Sequence, residues 1–385
     1  MVHARYRLRG GEDQSFDTEA AMLEERGCEV QRFIVDNAHI DDTRPGLLLA
    51  ADAIWSRSAR TEIKAAIGRS RPDVVHVHNT FPRLSPSIYS AIRAEGVPVV
   101  QTLHNFRSLC LNGLLFRHGS PCEDCVGHSF QMPGIVRRCY RDSYAVSAAV
   151  AAMNLVHQAL ATYRKHVNLF LACSDFARQR FIVGGLPAER ITVKPNTARD
   201  PGNEAASWSR PRSGAVFIGR LSPEKGISNL IQAWRGVGHR LTVVGDGPLA
   251  AQLREQASDE VVFTGWRSRE EISSILSNAA LLCLPSICYE QWPLAAGEAM
   301  SHGVPVLASD LGALPEIVQS GKTGLLLAPD HVEAWRSEAS ALLASPQRLA
   351  EMGRAARNDY LNRLSPNRVM GQLIGHYQSV LRGAL

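Results

Sequence analysis

Short apolar runs alternate with amphipathic stretches along most of the chain. In the first half, runs at Met1–Tyr6, Glu29–Val35, Asp73–His78, Val97–Leu103, Phe170–Ser174 and Ile191–Pro195 read as strands. The first is the back half of a buried strand, so either that strand is short or the chain starts late. Helical spacing fills the gaps at Asp13–Gly27, Pro45–Gly68, Pro86–Glu95, Asp142–Val167 and Asp175–Gly184. Strand and helix in turn imply parallel βαβ units, because a parallel neighbour is reached only through a crossover.

The alternation stops at Asn196–Gly214, NTARDPGNEAASWSRPRSG, which is rich in Gly, Pro, Ser and charge and has no apolar period. Such a stretch reads as an interdomain linker, set at 197–214. Strands then resume at Ala215–Gly219, Leu241–Pro248, Val261–Trp266, Ala280–Ser286 and Val304–Asp310, and Pro329–Leu385 reads as successive helices. The pattern divides the chain into an α/β domain at 1–196, a second at 215–366 and a terminal helix at 367–385. No solenoid repeat or low-complexity tract interrupts it.

Composition narrows the class. A length of 385 residues with 45% hydrophobic and 21% charged residues supports two cored domains and excludes disordered and fibrous chains. The formal charge of +5 suits an anionic small ligand or a membrane surface, and no nucleic-acid motif accompanies it. MVHARYRLRGGED turns charged too soon for a signal peptide, and Tyr144–Tyr163 carries Asn154, His157 and Gln158, so it falls short of a spanning helix. Eight cysteines are too few for a disulfide scaffold, so a reducing, cytoplasmic location is expected.

Candidate chemistry gathers at a few turns. YEQWPLAAGEAM (Tyr289–Met300) places Glu290 on a loop after an apolar run and Glu298 about two turns into the following helix, with seven residues between. A loop carboxylate accepts hydrogen bonds from sugar hydroxyls, and a helix start offers free N–H groups to a diphosphate. Gly10 and Gly11 form a turn that lets the backbone approach a ligand. In GRLSPEKG, Arg220 follows a strand and Lys225 opens a helix, two cations suited to a diphosphate leaving group. LHNF puts His104 at a strand end, and Glu316 reads as a helix-start acid. The loop Arg107–Tyr140 holds Cys110, Cys122, Cys125 and Cys139. The CEDC turn supplies a paired chelate that two further thiols complete as a structural zinc site, and buried thiols packing an insertion are the alternative. Asp142–Val167 is an apolar helix with basic ends, read as a core helix whose long cations snorkel, with a membrane-surface helix as the alternative.

The E-x7-E stretch, continued by HGVPVLASDLGALPEIV, resembles the signature of retaining glycosyltransferases with the GT-B fold, in particular glycosyltransferase family 4. RGGED, LHN and GRLSPEKG resemble further motifs of that family and extend the likeness over nearly the whole chain. The resemblance implies two Rossmann-like parallel-sheet domains facing across a cleft, the first on the acceptor side and the second binding a nucleotide sugar, with the last helix crossing back to the first.

It assigns sugar contacts to Glu290 and His104, the ribose to Glu298, and leaving-group stabilisation to Arg220 and Lys225. Donor contacts extend over Gln291, Trp292, Pro293 and Leu294, with Gly10 and Gly11 facing the phosphate. The family's usual Gly after the first Glu is here Gln291, followed by Trp292. The implied reaction moves a sugar from a UDP- or GDP-sugar to the hydroxyl of a saccharide or lipid-linked saccharide, with retention of configuration. It is expected to need no metal, since no DxD pair is in place, and to serve polysaccharide or glycoconjugate assembly, with contact at the inner membrane face. A sugar-nucleotide epimerase of the same fold and a non-enzymatic carbohydrate-binding protein are the other readings.

Overall fold

A computed structural model describes residues 1–7, 9–39 and 46–383, in two compact units. Unit 1 comprises Met1–Arg117, Cys122–Pro195 and the chain from Met370 on, and unit 2 comprises His118–Pro121 and Asn196–Val369.

Unit 1 is built on strands β1 (Val2–Arg5), β2 (Phe33–Asp36), β3 (Val75–Asn79) and β4 (Val99–Leu103). The two-residue strand β5 (Phe116–Arg117) follows in the long loop, then β7 (Leu169–Ala172) and β8 (Ile191–Val193), while the two-residue β6 (Ser120–Pro121) of the same loop is counted with unit 2. The main sheet has the order β2-β1-β3-β4-β7-β8, and its paired strands are parallel, with Val2 opposite Phe33 and Val100 opposite Leu169. Its helices include α1 (Gly11–Glu24), α2 (Gly46–Ile54), α3 (Arg57–Ser70), α4 (Ile88–Ala94), α5 (Met132–Val136), α6 (Tyr144–Ala159), α7 (Thr162–His166) and α8 (Asp175–Val183). Central strands such as β3 are buried throughout, as a parallel sheet covered on both faces requires.

Unit 2 repeats the plan with β9 (Ala215–Ile218), β10 (Leu241–Val244), β11 (Val261–Gly265), β12 (Leu281–Leu284), β13 (Val306–Ser309) and β14 (Gly324–Leu327). They run in the order β11-β10-β9-β12-β13-β14, all parallel. Neighbouring residues of β9 feed opposite faces: Phe217 joins Trp234 and Trp335 in one core cluster, Val216 joins Met300 and Tyr360 in the other. Helices α9 (Ile227–Ala233), α10 (Ala250–Gln256), α11 (Arg269–Asn278), α12 (Leu294–Ser301), α13 (Leu314–Ile317), α14 (Val332–Leu343) and α15 (Pro346–Asp359) complete it, and α16 (Pro366–Leu381) carries the chain into unit 1 at Met370.

Several elements differ from the sequence expectation, each for a local reason. Pro45 lies outside the described residues, and the helical region after it is two helices. Ser56 parts them by accepting the Ala59 N–H on its hydroxyl at 3.3 Å, an N-cap that outweighs continuous periodicity. Asp142–Val167 likewise divides, because Ala161 adopts φ of +53° between α6 and α7. The strand expected from Glu29 begins only at Phe33, where β1 first supplies a partner. β14 went unrecognised in the sequence as a sixth strand of the second sheet. Asn196–Gly214 has no helix or strand, yet it is packed against unit 2: Trp208 donates to Gly303 O at 2.8 Å, and Arg212 donates to Ala205 O at 2.9 Å and Leu276 O at 3.3 Å.

Each sheet reverses its strand order once, between β1 and β3 in unit 1 and between β9 and β12 in unit 2. At such a reversal the loops leaving two adjacent strands diverge and open a crevice at their C-terminal ends.

Candidate active site

In unit 2 the crevice holds the charged pair. After β9 the chain makes a short 3-10 turn, Pro223–Lys225, and Gly226 turns it into α9 at φ of +64°. A Cβ at Gly226 would stand 1.9 Å from Pro285 O, so only glycine lets the turn approach the loop that leaves β12. That approach puts Lys225 Nζ 2.6 Å from Glu290 Oε1, which also accepts from Ser286 Oγ at 2.6 Å. Gly312, at φ of +63°, closes the other side, where a Cβ would come within 3.0 Å of the Glu290 backbone N and O.

The Lys225 and Glu290 side chains are 28% and 11% exposed. Burial opposes the charged form of both, and their mutual attraction outweighs it. Glu290 is held below the usual carboxylate range, with help from the Ser286 hydroxyl, and Lys225 is held above the usual ammonium range.

Gln291 adds a second feature. It is 7% exposed, and neither its amide oxygen nor its amide nitrogen has a hydrogen-bond partner among the described residues. An unpartnered buried amide is costly, and a ligand with hydroxyl groups would relieve it. Trp292 and Pro293 follow, Pro293 caps α12, and Leu294 opens it with no acid in the first turn. Glu298, half-buried, is the fifth residue of α12, so it stands little more than one turn into the helix, not two. His302 seals the far end by approaching Glu298 O with Nδ1 at 2.8 Å. Arg220 is exposed and makes no side-chain hydrogen bond or ion pair among the described residues.

Unit 1 carries the remaining candidates. Gly10 caps α1, its N–H bonding Asp13 Oδ2 at 2.9 Å, and the space where its Cβ would stand is open. Gly11 begins the helix. Next to this turn Glu12 accepts from Tyr6 OH at 3.0 Å and from Asn105 Nδ2 at 2.8 Å. Burial raises the Glu12 carboxyl, and the two donors partly offset that.

His104 follows β4 with both ring nitrogens turned to groups of unit 1. Nε2 lies 2.9 Å from His78 Nδ1, and Nδ1 lies 3.9 Å from Cys173 Sγ. Behind it runs a buried chain. Glu19 Oε1 is 3.3 Å from His78 Nε2 and 3.2 Å from His76 Nδ1, while the Lys194 ammonium bonds the other Glu19 oxygen. His76 also meets Thr102 Oγ1 and Tyr377 OH, each at 2.7 Å.

Burial, and next the neighbouring His78, push His104 well below its ordinary pKa, while burial pushes Glu19 up and Lys194 with the two histidines brings it well down. Glu19, His76 and His78 are the one group of three ligand-type atoms within 4.8 Å among the described residues. The Lys194 ammonium already pairs with Glu19, so this is a charge-paired polar core, in which Glu19 Oε1 and His78 Nε2 have no hydrogen-bond partner among the described residues. Sequence reasoning missed it. Its one visible signal was VHVHN, which places His76 and His78 on one strand face.

Two further spaces are confined to unit 1. A cavity of about 740 Å³ has apolar walls from α2, α3 and α6, including Leu49, Ala53 and Val150, with Arg7, Arg83 and Arg141 among its lining. The four loop cysteines, Cys110, Cys122, Cys125 and Cys139, line a much smaller one, and all eight cysteines are free thiols. Among the described residues no helix is long and apolar enough to cross a membrane.

Two doubly wound parallel sheets, each reversing at a crevice, define a GT-B fold, and solved structures agree. Sucrose-phosphate synthase from Thermosynechococcus elongatus superposes with a TM-score of 0.71 at 19% identity, covering 99% of this chain and 96% of that one. Anabaena HepE in complex with UDP-glucose gives a TM-score of 0.67 at 17% identity, covering 98% and 99%. Residues 5–197 match the glycosyl transferase 4-like domain and residues 212–345 match glycosyl transferases group 1, and the chain belongs to this glycosyltransferase family.

Among relatives, glycogen synthase of Mycobacterium tuberculosis (strain CDC 1551 / Oshkosh) is 29% identical over 304 residues, 74% of this chain and 64% of the relative. Alpha-D-kanosaminyltransferase of Streptomyces kanamyceticus is 24% identical over 351 residues, 85% of this chain and 81% of the relative. The chain thus spans less than two thirds of the length of the glycogen synthase it matches.

Proposed function

We propose that the protein transfers a sugar from a nucleotide sugar to an acceptor hydroxyl, with retention of configuration and without a catalytic metal. The observation that carries this reading is the Lys225–Glu290 pair at the strand reversal of unit 2. In the bound state Lys225 and Arg220 meet the diphosphate, where negative charge grows as the glycosidic bond breaks. Glu290 and Gln291 take sugar hydroxyls, and Glu298 takes the ribose. Trp292, Pro293 and Leu294 shape the donor pocket at the start of α12. His104 serves as the active-site histidine of unit 1, held neutral and oriented by His78. Retention follows from front-face attack, the departing diphosphate oxygen taking the acceptor proton.

The acceptor is a saccharide or lipid-linked saccharide, and the large cavity of unit 1 supports it: apolar walls suit a lipid portion and the arginines suit its phosphate. The setting is polysaccharide or glycoconjugate assembly in the cytoplasm, at the inner membrane face. HepE, solved with UDP-glucose, supports a UDP-sugar donor. The test is a panel of UDP- and GDP-sugars, first by thermal shift and then by turnover in EDTA. A donor that stabilises the protein in proportion to the logarithm of its concentration, and turns over in chelator, supports the reading. Turnover restored only by added divalent metal removes its metal-independent part, and product formed without acceptor favours the epimerase.

A further inference from the structure

The loop between β4 and α6 contains two two-residue strands and the five-residue helix α5 as its regular structure. Within it Cys110, Cys122, Cys125 and Cys139 converge on a single cavity of about 10 Å³, room for one water or one small ion. Cys110 and Cys125 are buried, and no disulfide joins any of the four. Four free thiols lining one small cavity supply the full donor set of a tetrahedral soft-ligand cation site.

We propose that these four cysteines bind one structural zinc ion. Coordination releases the four thiol protons and leaves a net charge of about −2, which Arg117 and Arg137 on the cavity wall partly balance. As the side chains stand, no three of the four sulfurs lie within 4.8 Å of one another. Bonds of about 2.3 Å therefore draw the sulfurs inward, at the cost of the Cys110 Sγ–Asn112 Oδ1 bond of 3.0 Å. The ion would staple a loop that already braces the turn after His104: Arg107 N donates to Asn105 Oδ1 at 3.0 Å, and Arg107 Nη1 donates to Leu111 O at 3.2 Å.

The experiment is elemental analysis of reduced protein purified without chelator. One zinc per chain is expected, released when the thiols are titrated with an organomercurial. Cys122→Ser and Cys125→Ser should each lower zinc affinity by about tenfold or more. Should these variants fail to fold, Co²⁺ supplied to the unaltered protein gives an independent readout, a thiolate-to-cobalt charge-transfer band. Zinc that stays near zero after incubation with the ion, zinc retained in full by both variants, or a cobalt spectrum without thiolate bands would each overturn the proposal.

Discussion

Lys225 and Glu290 stand 65 residues apart in sequence and 2.6 Å apart in space, on loops leaving two adjacent strands of one sheet. The contact holds the ammonium in one place, the kind of preorganisation that the proposed role of Lys225 at the diphosphate draws on.

Lys225→Ala and Arg220→Ala should each lower kcat by about two to three decades, equivalent to roughly 3 to 4 kcal/mol, with a smaller change in donor Kd. Steady-state kinetics beside donor titration checks this. A loss confined to KM assigns the two cations to uniform binding instead.

Gln291→Leu keeps the volume and removes an amide with no partner. The folded protein should hold or gain stability, by up to about 1–3 kcal/mol, while donor KM rises. Melting temperature and KM measured on the same preparation give the answer, and a variant that loses stability without losing donor affinity contradicts a ligand role for the amide.

Lys194 and Glu19 are 1% and 4% exposed, so removing one leaves the other charged and buried. Lys194→Met should cost about 3–5 kcal/mol. The double variant Lys194→Met/Glu19→Gln should recover much of that loss, and denaturant unfolding of the set gives the coupling.

Burial holds His76, His78 and His104 below their ordinary pKa of 6.5. A depressed folded pKa means that the unfolded chain binds more protons between the two values. The stability carried by the neutral rings is complete above pH 6.5 and is lost as pH falls from there toward the folded values. A melting temperature that stays level from pH 7 to pH 5 would count against the neutral histidine chain.

Gly226→Ala places a methyl 1.9 Å from Pro285 O at a positive φ. It should destabilise unit 2 by about 1–3 kcal/mol from backbone strain alone and reduce kcat by displacing Lys225. Gly68→Ala, inside α3 and outside the candidate site, meets no neighbour within 4 Å and is the control.

Much of this was legible in the sequence because parallel strands buried on both faces write themselves as apolar runs, and GRLSPEKG and YEQWPLAAGEAM mark where the loops of unit 2 carry charge. What stayed hidden depends on contacts distant along the chain. Nothing local tells Glu19 apart from a helix surface acid until Lys194 and the two β3 histidines surround it. The orphan state of Gln291 is likewise a property of its neighbours. β14 was missed although β9, β10, β12 and β13 are equally short, and Ser56 split a helix because a cap competes locally with a period that extends over many turns.

His76 waits for Tyr377, 301 residues further on. Unit 1 is thus assembled from three segments, the last of them far along the chain from the other two, whereas Asn196–Val369 of unit 2 runs unbroken. During synthesis most of unit 2 is available to fold as soon as it leaves the ribosome. The earlier half must keep its β3 histidines without their last partner until α16 emerges, so a chain shortened at Val369 would retain a foldable second unit and leave a polar gap in the first.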